Sequence, residues 1–114
     1  MTMSQVRGFY RIRLTQQRSS GGEVWTAEHP TLLGCHVVRK TAQAAVDDLA
    51  AIREEWIART AAADEDIPPP EPNFYYELVL APDHSLEDEA QARRAVELTA
   101  SDIHTEFGPT VAFA

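Results

Sequence analysis

His29, Cys35 and His36 lie close together in the chain and are of types that bind zinc or arm a nucleophile. They flank Pro30-Thr31-Leu32-Leu33-Gly34, whose proline and glycine mark a turn able to bring them to one corner. Three ligands are one short of a closed zinc site. Cys35 is the sole cysteine, so neither a disulfide nor a cysteine-only zinc site can form within the chain. A Cys–His pair also needs a third group to orient the imidazole, and none is evident. Cys35 therefore reads as a small buried apolar residue. No metal and no cofactor is expected.

Glu23, Glu28, Asp47 and Asp48 are a second candidate set, four carboxylates that could hold magnesium in a nuclease. Such a site needs acids on the central strand. The first strand offers Arg11 and Arg13 instead, so no catalytic residue and no enzymatic activity is expected. Arg7, Arg11, Arg13 and Arg18, with Phe9 among them, form a third set. Cations for phosphate and an aromatic for stacking would suit an RNA-binding sheet face, with Arg11, Arg13 and Phe9 at its centre. The bland reading is a solvated strand face guarded by charge.

The acids themselves are the fourth set. The chain has 114 residues and a formal net charge of −8. Residues 1–40 carry Arg7, Arg11, Arg13, Arg18, Arg39 and Lys40 against Glu23 and Glu28, a net of +4; residues 41–114 carry four arginines against sixteen acids, a net of −12. An acidic half repels nucleic acid and attracts a basic protein. Asp64, Glu65 and Asp66, with Glu87, Asp88, Glu97 and Asp102, are the candidate partner-binding residues. The N-terminal arginines could also pair with these acids within one molecule.

The elements that must position these groups follow from periodicity. Tyr10, Ile12 and Leu14 alternate with Phe9, Arg11 and Arg13, which predicts a strand with one buried side. Thr15 to Gly22 reads as a polar turn, and Glu23 to Glu28 as a second strand with Trp25 and Ala27 inward. Cys35 to Arg39 reads as a third strand. Thr41 suits a helix N-cap, and Ala42, Ala45, Val46, Leu49, Ile52 and Trp56 fall on one face of a helix from Thr41 to Arg59. Trp56 and Leu49 are both expected to be buried against the sheet. Residues 63–73, with Pro68-Pro69-Pro70, read as a stiff extended connector. Phe74 to Leu80 is a fourth strand with Phe74, Tyr76, Leu78 and Leu80 inward. Ser85 caps a second helix, supported by Asp88 and carrying a thin stripe of Ala92, Val96, Ile103 and Phe107; Gly108-Pro109 ends it. Thr110 to Ala114 is a tail or a short strand. The order β-β-β-α-β-α predicts an α+β fold, with 1–80 as the main unit and 81–114 as an acidic helix and tail. No apolar run approaches the ~18 residues that cross a bilayer, and Met1 to Arg7 has no apolar core of the secretory kind. A cytoplasmic protein is expected.

The stretch from Tyr10 to Pro72 resembles the HicB-like antitoxin family of type II toxin–antitoxin systems. The resemblance is carried by Tyr10-Arg11-Ile12-Arg13, Val24-Trp25-Thr26-Ala27, the Pro30-to-His36 turn with its Leu33-Gly34-Cys35, Thr41, Ala44-Ala45-Val46 and Ile67-Pro68-Pro69-Pro70. It departs at Arg39-Lys40 and Gln43-Ala44, where many members carry a glycine before the threonine and acids after it. It implies a partial ribonuclease-H-like sheet of three antiparallel strands and one parallel strand, with the long helix on one face. It also implies a homodimeric scaffold that blocks a small basic ribonuclease toxin of the HicA-like kind. Many members end in a DNA-binding module. Here the part after Leu80 is acidic and has no basic helix pair, so DNA binding is not expected.

Overall fold

The structure is a computed structural model that describes residues 8–104 and 111–113. Strands β1 (Ile12–Ser19), β2 (Gly22–Glu28) and β3 (His36–Arg39) precede helix α1 (Ala42–Ala62); strand β4 (Phe74–Val79), helix α2 (Leu86–His104) and strand β5 (Val111–Phe113) follow. The strands form one sheet in the order β3-β2-β1-β4-β5. β1 runs antiparallel to β2 and parallel to β4; β2 is antiparallel to β3, and β4 is parallel to β5. This is the α+β layout that the periodicity predicts, with the apolar C-terminal segment contributing a fifth strand.

Alternation decides which face of the sheet is dry. Ile12 and Leu14 of β1, Trp25 and Ala27 of β2, Val37 of β3, and Phe74 and Tyr76 of β4 are all buried, and the pairing of Leu14 with Ala27 and of Ile12 with Tyr76 puts them on one side. Ala42, Ala45, Val46 and Leu49 of α1 close over that side, joined by Ala92, Ala95 and Val96 of α2 in the same core cluster. Leu78, Leu80, Tyr10 and Ile52 pack against its margin. The small residues let the two helices approach both the sheet and each other.

Both helices start as their sequences ask. The Thr41 hydroxyl accepts from the Ala44 amide at 3.1 Å. At α2, the Ser85 hydroxyl accepts from the Asp88 amide at 3.1 Å while the Asp88 carboxylate accepts from the Ser85 amide at 3.0 Å. This reciprocal pair is a capping box with aspartate in the third position.

Three expectations need correction. The first hairpin is tighter than the polar stretch suggests. β1 continues to Ser19, because Thr15 and Gln17 face the open side of the sheet, and only Ser20 and Gly21 make the turn. Phe9 does not share a face with Arg11 and Arg13. Regular pairing begins at Ile12, and Phe9, held by a single bridge to Glu71, turns its ring into the core against Phe74 with centroids 5.9 Å apart. Trp56 is only half-buried. A helix of 21 residues spans ~31 Å and overhangs the sheet, so its second half covers the turn between β2 and β3. There Trp56 donates to the Leu33 carbonyl at 2.9 Å. That turn passes through Gly34 at φ 85°, a conformation costly for any residue with a Cβ.

Leu49→Ala is expected to cost ~2–5 kcal/mol, as for other fully buried leucines. Trp56→Phe, which keeps most of the ring and loses the donor, is expected to cost about 1 kcal/mol. Urea unfolding of the two variants checks this order; equal losses would mean that Trp56 is as buried as Leu49.

Candidate functional site

The open face of the sheet carries Arg11 and Arg13, but each already holds acids. Arg11 makes a two-point contact with Glu71, 2.8 and 2.9 Å, and lies 5.4 Å from the centre of the Tyr75 ring. Arg13 binds Glu77 at 3.0 Å across the parallel β1–β4 pair and approaches Glu28 at 3.7 Å. These contacts raise both guanidinium pKa values, chiefly through the hydrogen bonds to Glu71 and Glu77. With Phe9 in the core, the expected trio of Arg11, Arg13 and Phe9 is not assembled. The aromatic beside Arg11 is Tyr75, the second residue of β4, on the face opposite the inward Phe74 and Tyr76.

Arg18 ends the dry face of β1 and gathers a polar cap over the core. It binds Glu23 at 2.9 Å, Asp83 at 2.9 Å and Asp88 at 2.7 Å. Glu23 also accepts from the Trp25 indole at 2.8 Å and from the Gln16 amide at 3.2 Å, while buried Gln16 accepts from the Ala81 backbone at 3.0 Å. Each of these polar side chains thus finds a partner at the edge of the core. The pairing of N-terminal arginines with C-terminal acids therefore occurs within one molecule, and Arg39 adds Asp48 at 2.7 Å.

The proposed partner-binding acids divide accordingly. Asp64, Glu65 and Asp66 are exposed where α1 ends, and their carboxylates meet no cation among the described residues. Glu87 is exposed, and among the described residues it accepts from Gln91. Asp88 is not a free docking acid: it caps α2 and holds Arg18, and the Ser85 amide with its other donors keeps its carboxyl below the usual range. Glu97 is half-buried and accepts from the Tyr76 hydroxyl at 3.3 Å; burial, with this carboxylate beside it, pushes that phenol up to about 12. The Asp102 side chain lies outside the described residues, as does Arg7. Glu87 and Asp88, at the start of α2, lie away from the connector, whereas Glu97 lies farther along α2 beside Tyr76, which pairs with Ile12. Connector residues meet the start of β1 at Phe9 and Tyr10, and α2 starts beside Arg18. Eight residues of extended chain separate Tyr10 from Arg18, about 26 Å.

The turn does bring His29 and Cys35 together through its backbone, with the His29 amide donating to the Cys35 carbonyl at 3.1 Å. The side chains serve different ends. His36 is exposed on the open face opposite Glu28. Cys35 is buried, and burial pushes its thiol up, away from the thiolate a nucleophile needs. No three His, Cys, Asp or Glu side chains converge as a metal site among the described residues.

His29 is 1% exposed, and its surroundings fix its tautomer. Nδ1 lies 3.1 Å from the Arg11 carbonyl, which can only accept, so Nδ1 carries the proton. Nε2 is then an acceptor and faces an Arg53 N–H at 3.4 Å. Burial, aided by the Arg53 charge, lowers the imidazole pKa from 6.5 to about 4. Sequence reading missed Arg53. The signal was there: it lies four residues after Leu49, a charge inside the apolar stripe of α1.

Comparison with protein-family models, with curated proteins and with solved structures returns no match.

Because the folded state holds His29 neutral, the unfolded chain binds the extra proton between pH 6.5 and about 4. Stability from this group is full above pH 6.5 and falls as pH drops through that window, by roughly 2–4 kcal/mol. Urea midpoints from pH 7 to pH 4.5 check it, and His29→Phe removes most of the slope. A variant with the same slope would show that other groups carry it.

Proposed function

We propose that this chain is a non-enzymatic, antitoxin-like protein that binds a small basic ribonuclease toxin in the cytoplasm and blocks its RNA site by steric and electrostatic occlusion. The observation that supports this most is the distribution of satisfied and unsatisfied charge. Arg11, Arg13, Arg18 and Arg39 hold acids of the same molecule at 3.0 Å or closer. Asp64, Glu65 and Asp66 stand exposed without a cation among the described residues. What the molecule offers an incoming partner at that end is therefore negative, the sign that fits a cleft built for RNA phosphates. The β-β-β-α-β order with β1 and β4 parallel is also the layout that the HicB-like resemblance implies. The RNA reading has less support, since its arginines are engaged and its aromatic is buried.

In this reading the sheet and α1 are a rigid platform, and the acids where α1 ends meet the toxin's cationic site. Inhibition needs no bond to be broken by this chain. The test is co-expression with a small basic ribonuclease encoded beside it. Restored growth and co-purification are expected. Replacing Asp64, Glu65 and Asp66 together by Lys is expected to slow association about tenfold or more, most at low salt, with little change in melting temperature. Failure of the unaltered protein to restore growth or to co-purify overturns the proposal.

A further inference from the structure

A cleft of about 610 Å³ opens between the start of β1, the second half of α1 and the proline connector. That size suits a small molecule, for which sites commonly measure about 300–1,000 Å³. Phe9, Phe74, Ile57, Ile67 and Pro68 give it apolar walls, and Arg53 with Glu54, His29 and Tyr10 supplies the polar part. The mouth is held open by fixed contacts. Phe9 and Glu71 exchange two backbone hydrogen bonds of 2.8 Å, and the Tyr10 hydroxyl donates to the Pro68 carbonyl at 2.7 Å. Gly8 lies so near the connector that a Cβ there would sit 2.7 Å from Pro70. A preformed cleft binds without the cost of ordering its walls.

Arg53 is unlike the other ion-paired arginines of the described residues. Arg11, Arg13, Arg18, Arg39 and Arg93 each have a carboxylate oxygen at 2.7–3.0 Å, with side chains 37–48% exposed. The Arg53 side chain is 25% exposed, yet its contacts are long, 3.6 Å to Glu54 and 3.4 Å to His29 Nε2. The Glu54 side chain is 73% exposed. A guanidinium offers five donors in a planar fork, and these two contacts leave most of it unmatched. Within the cleft Glu54 is the one carboxylate that competes for it, and it does so from a long, solvent-facing contact. His29 has committed both nitrogens, and the Tyr10 hydroxyl is spent on Pro68. The Arg53 charge is felt there, since it favours neutral His29 and eases ionisation of Tyr10 against burial.

We propose that this cleft binds a small carboxylate with an apolar body, the carboxylate on the Arg53 fork and an aryl or branched-alkyl group between Phe9, Phe74, Ile57 and the connector. Charge selects the ligand's head, and the apolar walls select its body. Binding here needs no ribonuclease, so it stands or falls separately from the antitoxin reading.

The test is an NMR titration of the ¹⁵N-labelled full chain with 3-phenylpropionate and, separately, with 3-phenylpropanamide. The acid is expected to bind saturably, shifting backbone signals of Phe9, Arg53, Ile57 and Ile67. The amide is expected to bind about tenfold more weakly or worse, having lost the charge-assisted pair. Arg53→Gln should bring the acid down to the level of the amide, and Arg53→Lys, which keeps the charge without the fork, should fall between. Equal affinity of acid and amide for the unaltered protein overturns the proposal, as does the absence of saturable shifts or their clustering elsewhere. The comparison of the two ligands is made on the unaltered protein, so it holds whatever the variants do to folding.

Discussion

β1 pairs on both sides, and the rest of the molecule is arranged around that fact. Among the described strands it is the one antiparallel to one neighbour and parallel to the other, with Leu14 fully buried on its dry face. A parallel neighbour cannot follow through a tight turn. The chain must cross back over the sheet before β4 can start, and α1 with the proline connector is that crossing. The crossing covers the dry face, and where its second half overhangs the sheet it leaves the cleft at His29 and Arg53. One pairing therefore accounts for both the core and the concave site.

The same strand organises charge. Its open face presents Arg11 and Arg13, and its end presents Arg18. Its parallel partner and the segments around it supply Glu71, Glu77, Asp83 and Asp88. The separation of a basic first third from an acidic remainder, odd along the sequence, becomes neutral contact once β1 and β4 lie side by side. Exposed pairs of this kind add little stability, about 0–1 kcal/mol each. Their consequence lies in what is left over: among the described residues the acids at the end of α1 meet no cation, so the exterior there is negative.

Much of this was legible in the sequence because it follows from local rules. Alternation at Ile12, Leu14, Trp25 and Ala27 gave the dry face, and Thr41 and Ser85 marked the helix starts through their hydroxyls. What was not legible depends on where elements lie in space. Gln16 is polar by type yet buried, because Glu23 and the Ala81 backbone satisfy its amide. Phe9 breaks alternation because pairing begins three residues later. Trp56 continues the stripe of α1 beyond the edge of the sheet that the stripe was built to cover. Asp88 and Glu97 read as free acids until Arg18 and Tyr76 are placed beside them. The cleft needs Gly8, Arg53 and Pro68 together, residues spread over sixty positions of the chain, so no short window of sequence contains it.

The sheet arginines are committed to acids of the same molecule, leaving a surface that repels nucleic acid. Titrating the protein into labelled single-stranded RNA at low ionic strength measures this most directly. No saturable binding is expected from the unaltered chain, whereas Glu71→Gln with Glu77→Gln should release Arg11 and Arg13 and yield weak, salt-sensitive binding. Tight binding by the unaltered chain, lost on Arg13→Glu, would contradict the claim.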